Sequence, residues 1–254
     1  LEAVSLSSVL FGNSINQSVL AIYLLATFFV CGIPFGKIIA HVKGVDIQKV
    51  GSGNIGTTNV AREIGKGAAA LTLLFDAGKG ALATGLASVL FQQDGFVLAH
   101  ATGISVAPTG QGAWLVGLVM VAAVWGHIFS PFLHFHGGKG IAVGVGSLLG
   151  FVWPVGLIEL GIFIVLVAIT KRVSIGSVTV AAVLPFVGCL ICGWNLGLFL
   201  TLALAGWTVV WAHRSNIDKL VHGKEKAFSF HKKGEGTDPL EGAGSREDEG
   251  GDAK

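Results

Sequence analysis

The sequence predicts an all-α protein, a polytopic integral membrane bundle of about seven transmembrane helices. Its N-terminus is expected outside the cell and its C-terminus in the cytoplasm. Three observations support this. Of 254 residues, 52% are apolar and 13% are charged, about half the charged share of a soluble domain. The charges are also segregated: residues 213–254 hold 17 of the 32 Lys, Arg, Asp and Glu. The remaining chain carries too few to solvate a soluble surface. Apolar runs near bilayer length then recur along the chain.

The runs are 19–41, 67–91, 113–133, 141–153, 155–170, 173–193 and 195–212. A bilayer core needs about 20 helical residues, so the fourth is too short to span unaided. Gly150 and Pro154 make 141–170 a broken pair rather than one long helix. With seven spans, one side receives 15 Lys and Arg, and the other side receives none. Cytoplasmic loops are the cation-rich ones. Three units are therefore expected: a short extracytoplasmic N-terminus (1–18), a membrane domain (19–230) and a disordered cytoplasmic tail (231–254). Residues 1–18 lack the basic start of a signal peptide.

Glycine is abundant, at 38 residues. Most of these positions suit close helix approach in lipid, as in the Gly32/Gly36 and Gly140/Gly144 pairs. Cys189 and Cys192 form a C-x-x-C in an apolar run without a second ligand pair. Buried reduced thiols are expected there. No basic stripe with interleaved aromatics points to nucleic acid. No metal-ligand spacing is present.

Three polar clusters fall on the cation-rich side. The first is Gly51-Ser52-Gly53-Asn54-Ile55-Gly56-Thr57-Thr58-Asn59-Val60-Ala61-Arg62. Glycines allow successive backbone N–H groups to converge on an oxyanion, and Arg62 adds a fork that matches phosphate. Gly51, Gly53 and Gly56 also spell G-x-G-x-x-G, with Asp76 twenty positions on. A dinucleotide site needs this motif inside a strand–turn–helix unit, and here the flanks are membrane helices.

The second cluster runs from Gly126-His127 to Gly137-Gly138-Lys139-Gly140, just before an apolar helix. Helix N-termini favour anions, and Lys139 adds a full charge. The third begins at His213, with Asn216 three residues on, and reaches Gly223-Lys224-Glu225. Within the spans, Asp76 and Lys79 are spaced to pair on one helix face. Glu159 is a lone intramembrane carboxylate with no assigned role.

GSGNIGTTNVAR, GHIFSPFLHFHGGKGIA and HRSNIDKLVHGKE, in this order between spans, resemble the bacterial acyl-phosphate:glycerol-3-phosphate acyltransferase family. The likeness covers about residues 30–228, and KRVSIGSVT also resembles it. The resemblance implies a seven-span membrane enzyme of phospholipid synthesis, with its active site on the cytoplasmic face of the bacterial plasma membrane. It would move an acyl group from acyl-phosphate to the 1-hydroxyl of glycerol-3-phosphate, giving lysophosphatidic acid and phosphate, without cofactor or metal.

Carried over by position, the catalytic residues are Ser52, Arg62, Lys139, His213 and Asn216. Substrate binding falls to Gly51, Gly53, Asn54, Gly56, Thr58, Asn59, Gly137, Gly138 and Gly140. Glu225 takes a structural role by the same resemblance, and Asp76 and Lys79, spaced to pair within a span, are assigned structural roles on that spacing. The expected partners are glycerol-3-phosphate, acyl-phosphate and membrane lipids, with no nucleic acid. The chain departs from the family pattern at Thr57, where Ala is usual, and at Ala212, where Arg is frequent. The proton acceptor is either His213 or a substrate phosphate. An organophosphate transporter and an acyl-CoA-dependent enzyme remain as rivals. The transporter predicts internal repeats that the sequence does not display.

Overall fold

The computed structural model describes residues 17–91 and 112–225. The expected N-terminal segment up to residue 16, the loop 92–111 and the expected tail 231–254 lie outside them. The described residues are all-helical: α1 (Gln17–Gly32), α2 (Phe35–Val42), α3 (Thr57–Glu63), α4 (Lys66–Phe91), α5 (Ala113–Ile128), a short 3-10 turn (Pro131–Leu133), α6 (Ile141–Phe151), α7 (Trp153–Thr170), α8 (Val173–Cys192), α9 (Leu196–Ala212) and α10 (Arg214–Val221).

Each expected apolar run contains a helix, but fewer of the helices are long enough to span. Among the described residues, five segments are long and apolar enough to cross a membrane: Gln17–Val42, α4, Ala113–Leu133, α7 and α8. A sixth is reached if α9 and α10 count together, across a 57° bend. The 11 residues of α6 are too short for a bilayer core of about 30 Å. The break between α6 and α7 falls at Val152, with Pro154 in the first turn of α7.

The first apolar run, expected as one helix over 19–41, is also broken. Pro34 has no N–H and ends α1. Carbonyls near the break are then bonded by side chains from elsewhere. Ser130 Oγ donates to the Gly32 carbonyl at 2.6 Å. Lys79 Nζ donates to the Ile33 carbonyl at 2.8 Å. In a membrane interior an unmet carbonyl costs several kcal/mol, so these bonds tie α1, α4 and the 3-10 turn together.

Small residues set the helix spacing. A Cβ at Gly146 of α6 would overlap the Ala77 carbonyl of α4, and one at Gly126 of α5 would overlap the Phe28 carbonyl of α1. Thr84 of α4 also donates to the Ser147 carbonyl of α6 at 2.7 Å. The core is built around α5, with Val116, Val119 and Val124 fully buried, and Leu148, Leu184 and Leu202 from α6, α8 and α9 packed with them. Leu82, Ile169 and Leu190 point outward with 75–82% exposure. Outward apolar side chains suit a surface that lipid covers. Cys31, Cys189 and Cys192 are buried free thiols.

Candidate active site

The first cluster is a tight turn seated on α2. Gly51 and Gly53 both adopt left-handed backbone (φ 59° and 69°). Gly36 of α2 lets the turn approach, because a Cβ there would overlap the Ile55 carbonyl. Ile55 inserts into a small core with Ala40, Ile47, Val60 and Leu133. Leu133 belongs to the second cluster, so this core joins the two clusters.

Side chains fix the turn from within. Asn59 is buried, and its amide donates to the Ile47 and Val50 carbonyls at 3.3 and 3.2 Å. Its Oδ1 accepts the Ser52 N–H at 2.9 Å. Asn54 Oδ1 accepts the Gly56 N–H at 2.7 Å, just before α3. The structure therefore gives the side chains of Asn59 and Asn54 scaffolding bonds, whereas the sequence expectation had them meeting substrate. Ser52 and Arg62 are exposed, and Thr58 is half-buried in the first turn of α3.

The glycines of the second cluster are likewise bonded within the fold. Free N–H groups were expected at Gly137 and Gly138. Instead the Gly137 N–H donates to the Ile128 carbonyl at 2.9 Å and the Gly138 N–H to the His127 carbonyl at 3.0 Å. The turn lies flat on the end of α5, and a Cβ at Gly138 would overlap the His127 ring. Glycine serves close packing here. Gly140, at φ 84°, caps α6, whose first-turn N–H groups have no intrahelical acceptor.

Lys139 sits between these glycines and reaches across the fold. Its Nζ donates to Asn216 Oδ1 on α10. The Asn216 amide donates to Ser174 Oγ at 2.8 Å and to Glu225 Oε1 at 3.1 Å. Ser174 Oγ also donates to Glu225 Oε1. Four residues from four chain segments thus form one network. Ser174, at the start of α8, was not among the expected site residues. Its signal was the KRVSIGSVT stretch. Burial pushes the Lys139 ammonium down from its ordinary value to about 8; the Lys219 and Arg62 cations push the same way, against the pull of Glu225. Arg62 therefore lies within electrostatic reach of Lys139.

His213 caps α9 and is buried, with Nδ1 2.8 Å from the Val209 carbonyl. A carbonyl only accepts, so Nδ1 carries the hydrogen and neutral Nε2 keeps its lone pair. Asp218, five residues on, lies 3.3 Å from His222, so it does not form a pair with His213.

Asp76 and Lys79 lie apart from this network, inside the bundle. Lys79 Nζ is 2.8 Å from Asp76 Oδ1 and 3.2 Å from His127 Nδ1. His127, in turn, lies under Gly138. This buried trio braces the turn that carries Lys139. Among the described residues, no group of three His, Cys, Asp or Glu could hold a metal ion.

An apolar groove runs between α6, α8 and α9. Gly140, the residue after Lys139, and Val209, whose carbonyl meets His213, line it together with Met120, Leu148 and Leu184.

The family model for glycerol-3-phosphate acyltransferases matches residues 21–223. The chain belongs to that family. A glycerol-3-phosphate acyltransferase of Rubrobacter xylanophilus is 37% identical over 218 residues, covering 85% of this chain and all of that protein. One from Parasynechococcus marenigrum is 37% identical, covering 81% of this chain and 88% of that protein. The fold is similar to crystal structures of PlsY, an integral membrane glycerol 3-phosphate acyltransferase. Its glycerol 3-phosphate form has a TM-score of 0.72 at 27% identity, covering 83% of this chain and 96% of that one. Its lysophosphatidic acid form has a TM-score of 0.70 at 26% identity, covering 84% and 96%. This acyltransferase is therefore a multi-pass membrane enzyme, and its matched region includes the first two polar clusters and the third as far as Gly223.

Proposed function

We propose that this acyltransferase moves a fatty acyl group from acyl-phosphate to the 1-hydroxyl of glycerol-3-phosphate, releasing 1-acylglycerol-3-phosphate (lysophosphatidic acid) and phosphate. The observation that carries this is the junction of two environments. Lys139 donates to Asn216 within electrostatic reach of Arg62, and Gly140, the next residue after Lys139, lines the apolar groove. A phosphate at the first and an acyl chain in the second would place an acyl-phosphate anhydride at the junction. The PlsY structures were solved with glycerol 3-phosphate and with lysophosphatidic acid, which supports the acceptor and the product.

The glycerol hydroxyl oxygen attacks the acyl carbonyl carbon. A C–O ester bond forms, the carbon–oxygen bond to phosphate breaks, and phosphate leaves with the bonding pair. Phosphate is a good leaving group, so no protein nucleophile is needed. Positioning and charge stabilisation by Lys139, Arg62, Ser52 and Asn216 account for the rate. The hydroxyl proton passes to His213 Nε2 or to a substrate phosphate oxygen.

The cation distribution supports seven crossings, with α6 and α9 as short ones, the N-terminus outside and the site on the cytoplasmic face. The test uses purified protein in detergent, with glycerol-3-phosphate and either palmitoyl-phosphate or palmitoyl-CoA. Lysophosphatidic acid from the first donor alone is expected. Turnover with the CoA ester alone would overturn the donor assignment.

A further inference from the structure

Glu159 of α7 is 2% exposed and lines the apolar groove. Neither of its carboxyl oxygens has a hydrogen-bond partner. The groove's other lining residues are apolar or glycine, including Met120, Leu148 and Leu184. An ionisable group in a membrane interior is expensive, and such groups mark sites more often than packing. Structural packing does not account for this one, because Leu would fill the same wall without an unmet polar atom.

Its depth is legible from helix register. Gly140 adjoins Lys139 and lines the groove, and Leu148, eight residues on along α6, lines it roughly 12 Å further along the axis. Glu159 lies 11 residues before the end of α7, at Thr170, roughly 16 Å from that end. An acyl chain entering beside Lys139 therefore meets Glu159 partway along its length.

We infer that Glu159 is a specificity-determining residue that selects acyl chains by the chemistry they present at that depth. This rests on the acyl-transfer function proposed above. Methylenes passing the carboxyl leave both oxygens unmet and exclude any water that could serve them. A hydroxyl at that depth donates to one of them. The favoured donors are acyl-phosphates carrying a hydroxyl near mid-chain.

The experiment measures kcat/KM for palmitoyl-phosphate and for a series of hydroxypalmitoyl-phosphates with the hydroxyl moved along the chain. In the wild type, one hydroxyl position gains about tenfold over its neighbours and over palmitoyl-phosphate. Glu159→Leu flattens that peak, whereas Glu159→Gln, which still hydrogen-bonds, keeps most of it. A wild-type profile without a peak overturns the inference, and needs no variant to fold. A peak that survives in Glu159→Leu overturns it too. If the wild type turns over no acyl-phosphate at all, the acyl-transfer function itself fails, and the inference falls with it.

Discussion

Lys139 and Asn216 stand 77 positions apart in the chain, yet the lysine ammonium donates to the asparagine side-chain oxygen. The asparagine amide hands the connection on to Ser174 and Glu225. A cation that would otherwise sweep several rotamers is thereby held beside Gly140, which lines the groove. Glu225 also places a negative charge within the network, which keeps the lysine protonated despite its burial.

Asn216→Ala removes the acceptor from Lys139 and the donor from Ser174 and Glu225. A hydrogen bond to a charged group is worth about 1.5–3 kcal/mol. Loss of roughly ten- to a hundredfold in kcat/KM for glycerol-3-phosphate is expected. Ser174→Ala should be strongly non-additive with it, because both act on one network. Steady-state kinetics of the two single variants and the double variant provide the check.

The ammonium of Lys139 loses its proton near pH 8 rather than near the ordinary lysine value. Its charge is present below that pH and is lost as pH rises through it. The kcat/KM for the phosphate substrate should therefore fall above about pH 8, with a slope approaching tenfold per pH unit. Lys139→Arg keeps its charge over this range, so it should abolish this basic limb even if its overall rate is lower. A pH–rate profile of both proteins decides the matter.

Neutral His213 offers Nε2 as a base, since Nδ1 donates to Val209. If it accepts the hydroxyl proton, His213→Ala should lower kcat by about 10²–10⁴ and remove the acidic limb of the profile. KM should move far less. Retention of most activity with an unchanged profile would assign the proton to substrate phosphate instead.

Lys79 is buried, with Asp76, His127 and the Ile33 carbonyl around it. Lys79→Met strands the Asp76 carboxylate inside the bundle, and breaking a buried pair costs about 3–5 kcal/mol. A marked fall in thermal stability in detergent is expected. Asp76→Asn combined with Lys79→Met should recover much of it, since no lone charge remains.

Gly36→Ala tests how the first turn is seated. The new Cβ would overlap the Ile55 carbonyl, so the Ser52 turn must lift from α2. Overpacking of this kind costs about 1–3 kcal/mol. Activity should fall more steeply than thermal stability, because the displaced segment carries Ser52 and leads into Arg62.

Much of this protein is determined by sequence alone. Apolar runs, the Pro154 break, the one-sided cations and three ordered motifs are local properties of composition and spacing. They suffice for a helical membrane protein, and the resemblance the motifs carry points to an acyltransferase with Lys139, His213 and Asn216 as its candidate site residues. The tertiary structure decided the rest, through contacts that no periodicity encodes. It broke the first run at Pro34 and met the neighbouring carbonyls with Ser130 and Lys79. It bonded the N–H groups of Gly137 and Gly138 to the end of α5, because flat packing brought backbone carbonyls within reach. It drew Ser174 into the network from a distant helix end, and it left Glu159 unpartnered in the groove. Hydrogen-bond satisfaction depends on which chain segments approach one another, and in lipid that approach is set by glycine-to-carbonyl packing between helices far apart in sequence.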